Sequence, residues 1–360
     1  MARVYNFSPG PSAIPTEVLE QVQKELLDFQ GTGMSVMEMS HRGKVFDALY
    51  KETLENLRKT ASIPERFDIL YMTGGASMQF ALIPMNLALP GKPVSYINTG
   101  TWSQKAIEQA ALAGLDVHVA GSSEGTNFNY IPHDLDLKKG SSYLHMTSNN
   151  TIFGTQFENL PDPVDTKLII DASSDFLSRP VDWKNIGIMY AGLQKNAGPS
   201  GLTVVIIDRE YYARENEKTP TLMRYSTYAK NDSMYNTPPT FQIYVFGLVL
   251  KWIEKMGGLT ALDSINRKKA ALIYDAIDAN SSFYLGHAKK DSRSLMNVTF
   301  NLSDKSLEQD FLNGAKEKSL SDLKGHRSVG GMRASIYNAM PVAGCAALAD
   351  YMKEFAKKHS

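Results

Sequence analysis

The sequence has one cysteine, Cys345, among its 360 residues. A single thiol cannot form an intrachain disulfide, which excludes the small secreted scaffolds that disulfides stabilise. Basic and acidic residues balance at 38 each, so no charge excess predicts binding to nucleic acid or to an anionic membrane surface. No apolar run approaches the length of a membrane span, and the polar N-terminus does not resemble a signal peptide. We therefore expect a cytoplasmic protein that binds neither nucleic acid nor membranes.

Histidine is also scarce, with seven residues scattered along the chain. None has a metal-ligand spacing such as His-Glu-x-x-His, so no metal site is predicted. The sequence contains no internal repeat and no low-complexity segment. Hydrophobic residues make up 43% of the chain, which is typical of a globular protein, and the length allows one large domain or two.

Short apolar runs alternate with helical patterns as far as about residue 255. Seven of these runs are typical of buried strands: 67–72, 94–98, 116–120, 141–146, 167–170, 186–193 and 202–207. This alternation predicts an α/β fold with a mainly parallel, seven-stranded sheet flanked by helices. The charged segment 210–218 is predicted to be helical.

The pattern changes after Gly257-Gly258, which interrupts a long helical region. Beyond it we predict strands at 295–300 and 330–336 and helices at 306–319 and 341–358. The sequence therefore predicts a large domain over residues 16–256, preceded by an arm over residues 1–15. A smaller C-terminal α/β domain is predicted over residues 257–360.

Asp171 and Lys195 follow two of the predicted strands, each just past the end of an apolar run. A carboxylate and a lysine at neighbouring strand ends suit pyridoxal 5′-phosphate (PLP). The lysine amine forms a Schiff base with the cofactor aldehyde, and the aspartate keeps the pyridine nitrogen protonated so that the ring withdraws electrons. Either residue alone is more often a solvated loop residue, so the pair carries the hypothesis.

Two strand-to-helix turns support the same hypothesis. Thr73-Gly74-Gly75-Ala76-Ser77 follows one strand, and such a turn directs free backbone N–H groups at a phosphate. It has neither the P-loop spacing nor the dinucleotide-binding fingerprint. Trp102 lies at another junction of this kind, where active-site residues of open α/β sheets gather.

Several motifs in this order resemble those of the phosphoserine aminotransferase family, class-V PLP enzymes with the fold of aspartate aminotransferase (PLP-transferase fold type I). The motifs are Asn-Phe-Ser-Pro-Gly-Pro at 6–11, Ser-His-Arg-Gly-Lys at 40–44, Thr-Gly-Gly at 73–75, Gly-Thr-Trp at 100–102, Gln-Lys-Asn-Ala-Gly-Pro at 194–199 and Gly-His-Arg-Ser-Val-Gly-Gly-Met-Arg-Ala-Ser at 325–335. The resemblance covers almost the whole chain.

The resemblance implies a role for each matching residue in cofactor binding. Lys195 would be the Schiff-base lysine and proton carrier, and Asp171 the partner of the pyridine nitrogen. Trp102 would stack on the cofactor ring, and Thr151 would contact its hydroxyl. The phosphate would be held by four residues of one chain and two of a partner chain: Ala76, Ser77, Ser173 and Gln194, with Asn236 and Thr237 from the partner. The resemblance therefore implies a homodimer with active sites at the subunit interface.

The substrate side is implied to use two His-Arg pairs and a further arginine. Guanidinium groups match the geometry of phosphate and carboxylate. The family positions are His41, Arg42, His326 and Arg327 for a substrate phosphate and Arg333 for a carboxylate. Some family members have Gly-Arg in the turn where this chain has Ala76-Ser77, so one cationic contact is missing here.

We therefore predict reversible transamination between 3-phosphohydroxypyruvate plus L-glutamate and O-phospho-L-serine plus 2-oxoglutarate, in serine biosynthesis. 4-Phosphohydroxy-L-threonine is a candidate second substrate. The alternative is another PLP aminotransferase of the serine–glyoxylate or alanine–glyoxylate type, although those substrates carry no phosphate for the His-Arg pairs. A cysteine desulfurase would need a cysteine on a mobile loop, whereas Cys345 lies on a predicted helix face. A non-catalytic scaffold is a further alternative, and Asp171 with Lys195 argues against it.

Overall fold

The structure is a computed structural model that describes residues 3–359. The strands, in chain order, are β1 (Tyr5–Asn6), β2 (Phe67–Met72), β3 (Val94–Asn98), β4 (Val117–Ser122), β5 (Leu144–Thr147), β6 (Asn149–Asn150), β7 (Thr155–Gln156), β8 (Leu168–Asp171), β9 (Ile186–Gly192), β10 (Thr203–Asp208), β11 (Tyr284–Gly286), β12 (Asn297–Leu302), β13 (Leu320–Ser321) and β14 (Met332–Ser335). The α-helices are α1 (Thr16–Glu25), α2 (Lys44–Thr60), α3 (Gly75–Leu87), α4 (Thr101–Leu112), α5 (Tyr225–Lys230), α6 (Thr240–Lys255), α7 (Gly258–Ala279), α8 (Glu308–Glu317) and α9 (Val342–His359).

A seven-stranded sheet forms the centre of the larger part of the molecule, in the order β2-β10-β9-β8-β5-β3-β4. Only β10 runs antiparallel to its neighbours. Strands such as β8 and β10 are continuous runs of Leu, Ile and Val, because both faces of a mainly parallel sheet are covered and every side chain is buried. The predicted α/β architecture with a mainly parallel seven-stranded sheet is confirmed.

Two apolar clusters cover the faces of this sheet. One is built by α2 and α6 and includes Phe46, Leu57 and Phe246. The other is built by α3 and α4 and includes Phe80 and Ala106. Burial of these side chains fixes both helical layers against the sheet, which in turn positions the turns at the sheet edge.

The C-terminal part has its own core around a three-stranded antiparallel sheet, β11-β12-β14. Phe7 of the N-terminal arm is buried in this core, and β1 pairs in parallel with β13. The helix α7 contributes Leu259 to the larger core and Ile273 to the smaller one. The domain boundary predicted between residues 256 and 257 stays a prediction.

Several predicted element bounds were wrong. The strands predicted at 116–120 and 141–146 lie at Val117–Ser122 and Leu144–Thr147. The segment predicted to be helical at 210–218 forms a 3₁₀ helix at Arg209–Arg214, with the Asp208 side chain accepting a hydrogen bond from the Glu210 N–H. A 3₁₀ turn over Lys305–Leu307 precedes α8, which was predicted to begin at Ser306. None of the helices within residues 3–359 is both long enough and apolar enough to cross a membrane.

Candidate active site

The strand ends that carry the predicted residues meet at one edge of the large sheet. β8 ends at Asp171, and β9 ends at Gly192, shortly before Lys195. β3 ends at Asn98, and Trp102 lies in the first turn of α4. β3, β5, β8 and β9 are mutually parallel, so their carboxyl ends lie on the same side, where open α/β sheets bind ligands.

Asp171 is buried at this edge and is held in place by Ser173. Its Oδ1 accepts hydrogen bonds from the Ser173 N–H at 3.0 Å and from the Ser173 hydroxyl at 2.6 Å. Burial raises the pKa of Asp171, while Lys195 and the two Ser173 donors oppose that rise. The Ser173 oxygen also accepts from the Gly192 N–H at 3.1 Å. Here Ser173 therefore orients the aspartate, and its predicted contact with a cofactor phosphate stays a prediction.

The Lys195 amine lies between a hydroxyl and an indole ring. Nζ donates to Thr151 Oγ1 at 2.9 Å and lies 4.9 Å from the centroid of the Trp102 ring. Burial lowers the pKa of Lys195 to about 8; the Asp171 carboxylate opposes the fall and Arg333 adds to it. A lysine in this environment is a nucleophile close to neutral pH, because the neutral amine is the reactive form.

A cradle for an anion lies between the start of α3 and the end of β9. Gly74 precedes α3 in a left-handed conformation. It has no side chain that could cap the free N–H groups in the first turn of α3. A Cβ added at Gly192 would lie 2.8 Å from Gln194 Oε1 and 3.5 Å from the Ala76 nitrogen. The glycine thus allows the Gln194 side chain to approach the backbone at the end of β9 closely, beside the Ala76 nitrogen. Ser77 lies one residue further into the helix, with its side chain exposed.

Arg333 and His326 approach the site from the C-terminal part. Arg333 lies on β14 and is buried, and its Nη1 donates to the Thr151 carbonyl at 3.2 Å. Arg333, Arg327 and Lys105 add to the effect of burial in lowering the pKa of His326. His326 Nδ1 accepts from the Ser328 N–H at 3.2 Å, which leaves Nε2 as the proton-bearing nitrogen of the neutral ring. The Arg327 side chain is exposed.

His41 and Arg42 lie in the loop before α2. His41 Nε2 is buried without a hydrogen-bond partner among the described residues, and the Arg42 side chain is exposed. Within residues 3–359 no side-chain hydrogen bond or ion pair joins either of them to Lys195 or Arg333. Their predicted part in phosphate binding therefore stays a prediction.

Asn236 and Thr237 lie in the segment between α5 and α6. Both are exposed, and Pro238 and Pro239 follow them before α6 begins. In the part of the chain that the structure describes, no hydrogen bond ties either side chain to the site of its own chain. An exposed position is what a contact with a second chain requires.

The N-terminal arm supplies contacts that the sequence analysis did not assign. The Ser12 N–H donates to the Gln194 carbonyl at 2.9 Å, and the Ser12 hydroxyl donates to the Lys195 carbonyl. A Cβ added at Gly10 would lie 3.2 Å from Lys195 Cγ. The arm thus packs along the lysine and fixes its backbone. The glycine- and proline-rich composition of residues 8–11 was the only signal in the sequence for such close packing.

These residues fit PLP. A buried carboxylate and a lysine amine lie at one sheet edge, beside an indole and an anion cradle that an added Cβ would fill. Together they would provide the counter-charge, the Schiff-base amine, the stacking surface and the phosphate donors that this cofactor requires. Among residues 3–359 no group of three or more His, Cys, Asp or Glu side chains is placed to hold a metal ion.

Comparisons with known proteins point to one family of enzymes. Residues 4–348 match the family described as Aminotransferase class-V. The phosphoserine aminotransferase of Desulfosudis oleivorans is 52% identical over 354 residues, which are 98% of each chain. The solved structure of the phosphoserine aminotransferase from Bacillus circulans subsp. alkalophilus has a TM-score of 0.97 at 50% identity, covering 99% of each chain. The PLP-bound phosphoserine aminotransferase of Trichomonas vaginalis has a TM-score of 0.92 at 42% identity, covering 98% of this chain and 100% of that one.

Proposed function

This chain belongs to the class-V aminotransferases, and we propose that it catalyses the phosphoserine aminotransferase reaction in serine biosynthesis. The reaction converts 3-phosphohydroxypyruvate and L-glutamate into O-phospho-L-serine and 2-oxoglutarate, reversibly. The single observation that carries the proposal is 52% identity to a phosphoserine aminotransferase over 98% of both chains. 4-Phosphohydroxy-L-threonine is a candidate second substrate.

The cofactor is PLP, which when bound supplies an aldehyde to Lys195 and a ring that withdraws electrons from the substrate α-carbon. With the cofactor bound, Lys195 Nζ would take the proton from that carbon and pass it to the cofactor, and it would carry a proton in the reverse direction in the opposite half-reaction. Asp171 keeps a proton on the ring nitrogen through its buried carboxylate, and the Ser173 hydroxyl orients that carboxylate. The Thr151 hydroxyl oxygen accepts a hydrogen bond from the lysine amine at 2.9 Å and so orients it.

We assign substrate recognition to the cationic residues on the C-terminal side of the site and in the loop before α2. Arg333 binds the substrate carboxylate, and its burial strengthens that contact by excluding water. His41, Arg42, His326 and Arg327 bind the distal phosphate. Nε2 of His41 is buried without a partner among residues 3–359, which supports this role because a buried polar atom without a partner is costly.

We also propose a homodimer in which Asn236 and Thr237 of one chain complete the cofactor phosphate site of the other. Both residues are exposed. The side chains of Leu27, Met34 and Met37 are exposed as well, at 84%, 45% and 56%. A cytoplasmic location is part of the proposal and is supported by the lone, buried thiol of Cys345.

The alternatives have weaker support. Cys345 is buried in α9, and burial raises the pKa of its thiol to about 12, which does not suit the nucleophile of a cysteine desulfurase. A non-catalytic scaffold has no need for a half-buried lysine with a lowered pKa beside a buried carboxylate. A serine–glyoxylate or alanine–glyoxylate aminotransferase has no substrate phosphate for the two His-Arg pairs.

The test is the visible absorption spectrum of the purified protein before and after addition of O-phospho-L-serine. We expect a yellow protein that bleaches to the pyridoxamine form, because the first half-reaction transfers the amino group to the cofactor. The Lys195→Ala variant should show no turnover. Bleaching by alanine or serine but not by O-phospho-L-serine would overturn the substrate assignment, and normal turnover of Lys195→Ala would overturn the site.

A further inference from the structure

Lys105 lies one helical turn after Trp102, on the first part of α4. Its Nζ is 4.9 Å from the centroid of the Trp102 ring, the same distance as Lys195 Nζ. One indole ring thus contacts both ammonium groups. Because an ammonium within about 6 Å of a ring centroid is attracted by the ring quadrupole, Trp102 holds the flexible Lys105 side chain close to the reacting lysine.

Lys105 has no counter-ion in the part of the chain that the structure describes. No hydrogen bond or ion pair joins its Nζ to another residue there, and its side chain is exposed. Glu124 is not a partner of Lys105. Its carboxylate accepts hydrogen bonds from two neutral amides, Gln104 Nε2 at 2.9 Å and Asn98 Nδ2 at 3.2 Å. The positive charge of Lys105 is therefore free to act on a ligand.

Lys105 is also one of three cations within electrostatic range of His326. The charges of Arg333, Arg327 and Lys105 all act on that imidazole. They come from three places in the sequence, α4, the loop before β14, and β14 itself. Cations that converge without an acidic partner among them repel one another, and a bound anion relieves the repulsion.

The turn at the start of α3 has no cation of its own. Residues 76 and 77 are Ala and Ser, and the first turn of α3 carries only uncharged side chains. A phosphate monoester carries a charge of about −1.5 to −2 near pH 7. Such a dianion needs more positive charge around it than the carboxylate of a glutamate side chain does.

We propose that Lys105 is a specificity-determining residue that favours the phosphorylated substrate over glutamate. Its ammonium acts as a point charge on the substrate phosphate, which is how lysine binds phosphate, and it adds positive charge where the ligand is a dianion. This inference rests on the proposed function, because it concerns the phosphate of the same substrate.

The test compares the two amino donors, O-phospho-L-serine and L-glutamate, in wild type and in Lys105→Gln. For O-phospho-L-serine we expect kcat/KM to fall about tenfold, which corresponds to about 1.4 kcal/mol, mainly through KM. For L-glutamate we expect a change within about twofold. Lys105→Arg should restore most of the loss, because it restores the charge. The matched control is Lys268→Gln, since Lys268 is an exposed lysine on α7 without an ion pair in residues 3–359; it should leave both donors unchanged.

Salt provides a second readout. Because exposed charges are screened as ionic strength rises, the KM for O-phospho-L-serine should increase with added NaCl less steeply in Lys105→Gln than in wild type. Equal losses for both donors, or a Lys105→Gln variant like wild type with O-phospho-L-serine, would overturn the role of Lys105 alone. A wild-type enzyme that does not use O-phospho-L-serine would overturn the proposed function instead.

Discussion

At the scale of single residues, the reactivity of Lys195 depends on its burial. Burial lowers the pKa of its amine to about 8. At pH 7.5 roughly a quarter of such an amine is neutral, against about one in a thousand for a lysine with the ordinary pKa. The neutral fraction reaches one half at the shifted pKa and levels off about one to two pH units above it.

We therefore predict that the rate at which the cofactor-free protein combines with PLP rises with pH to a midpoint near 8 and then levels off. Stopped-flow absorbance on mixing with excess PLP measures this rate. The control is Nα-acetyl-lysine, whose ordinary pKa makes its rate with PLP continue to rise above pH 9. A protein rate that follows the acetyl-lysine curve through pH 9 would show that the Lys195 amine is not desolvated.

At the scale of secondary-structure elements, the proposed cofactor phosphate site depends on the approach of α3 to the end of β9. Gly192 is the last residue of β9, and the space beside it is bounded by Gln194 and by the Ala76 nitrogen. Any side chain at this position enters the space where the phosphate would bind. The backbone of a strand accepts alanine without strain, so the substitution tests the cradle and not the fold.

We predict that Gly192→Ala weakens PLP binding by about ten- to a hundredfold, since overpacking costs about 1–3 kcal/mol. Titration of the cofactor-free protein with PLP gives the Kd, and its Tm without cofactor should change little, because the flexible Gln194 side chain can move aside. The control is Gly125→Ala, where an added Cβ meets no atom within 4 Å. Equal PLP affinities in wild type and Gly192→Ala would contradict the cradle.

The sequence predicted the elements that are buried on both faces, such as β8 and β10. Short continuous runs of Leu, Ile and Val are compatible with few structures other than a buried strand. The two-residue strands β6 and β7 are too short to show the alternation of polar and apolar residues that predicts a strand. The Ser173 hydroxyl donates to the Asp171 carboxylate. The two-residue spacing in the sequence does not specify that hydrogen bond. Lys105 has the sequence pattern of an ordinary exposed helical lysine, one turn after Trp102, and only the fold brings it within electrostatic range of His326.

At the scale of the whole molecule, the proposed dimer divides each active site between two chains. Asp171 and Lys195 come from one chain, and Asn236 with Thr237 come from the other. The exposed position of the 236–237 segment on its own chain supports this division. A site shared in this way can be complete in a dimer of two chains that are each defective alone.

We therefore predict complementation between Lys195→Ala and the double variant Asn236→Ala/Thr237→Ala. Each homodimer should be strongly impaired, because both of its sites lack a component. A heterodimer purified through two different tags has one site with both components intact, so it should show about half of the wild-type activity. The control is a heterodimer of Lys195→Ala with Asp171→Asn, which should stay inactive because these residues serve the same chain's site and each site then lacks one of them. An inactive heterodimer in the first experiment, or a fully active double variant, would mean that each chain builds its phosphate site alone.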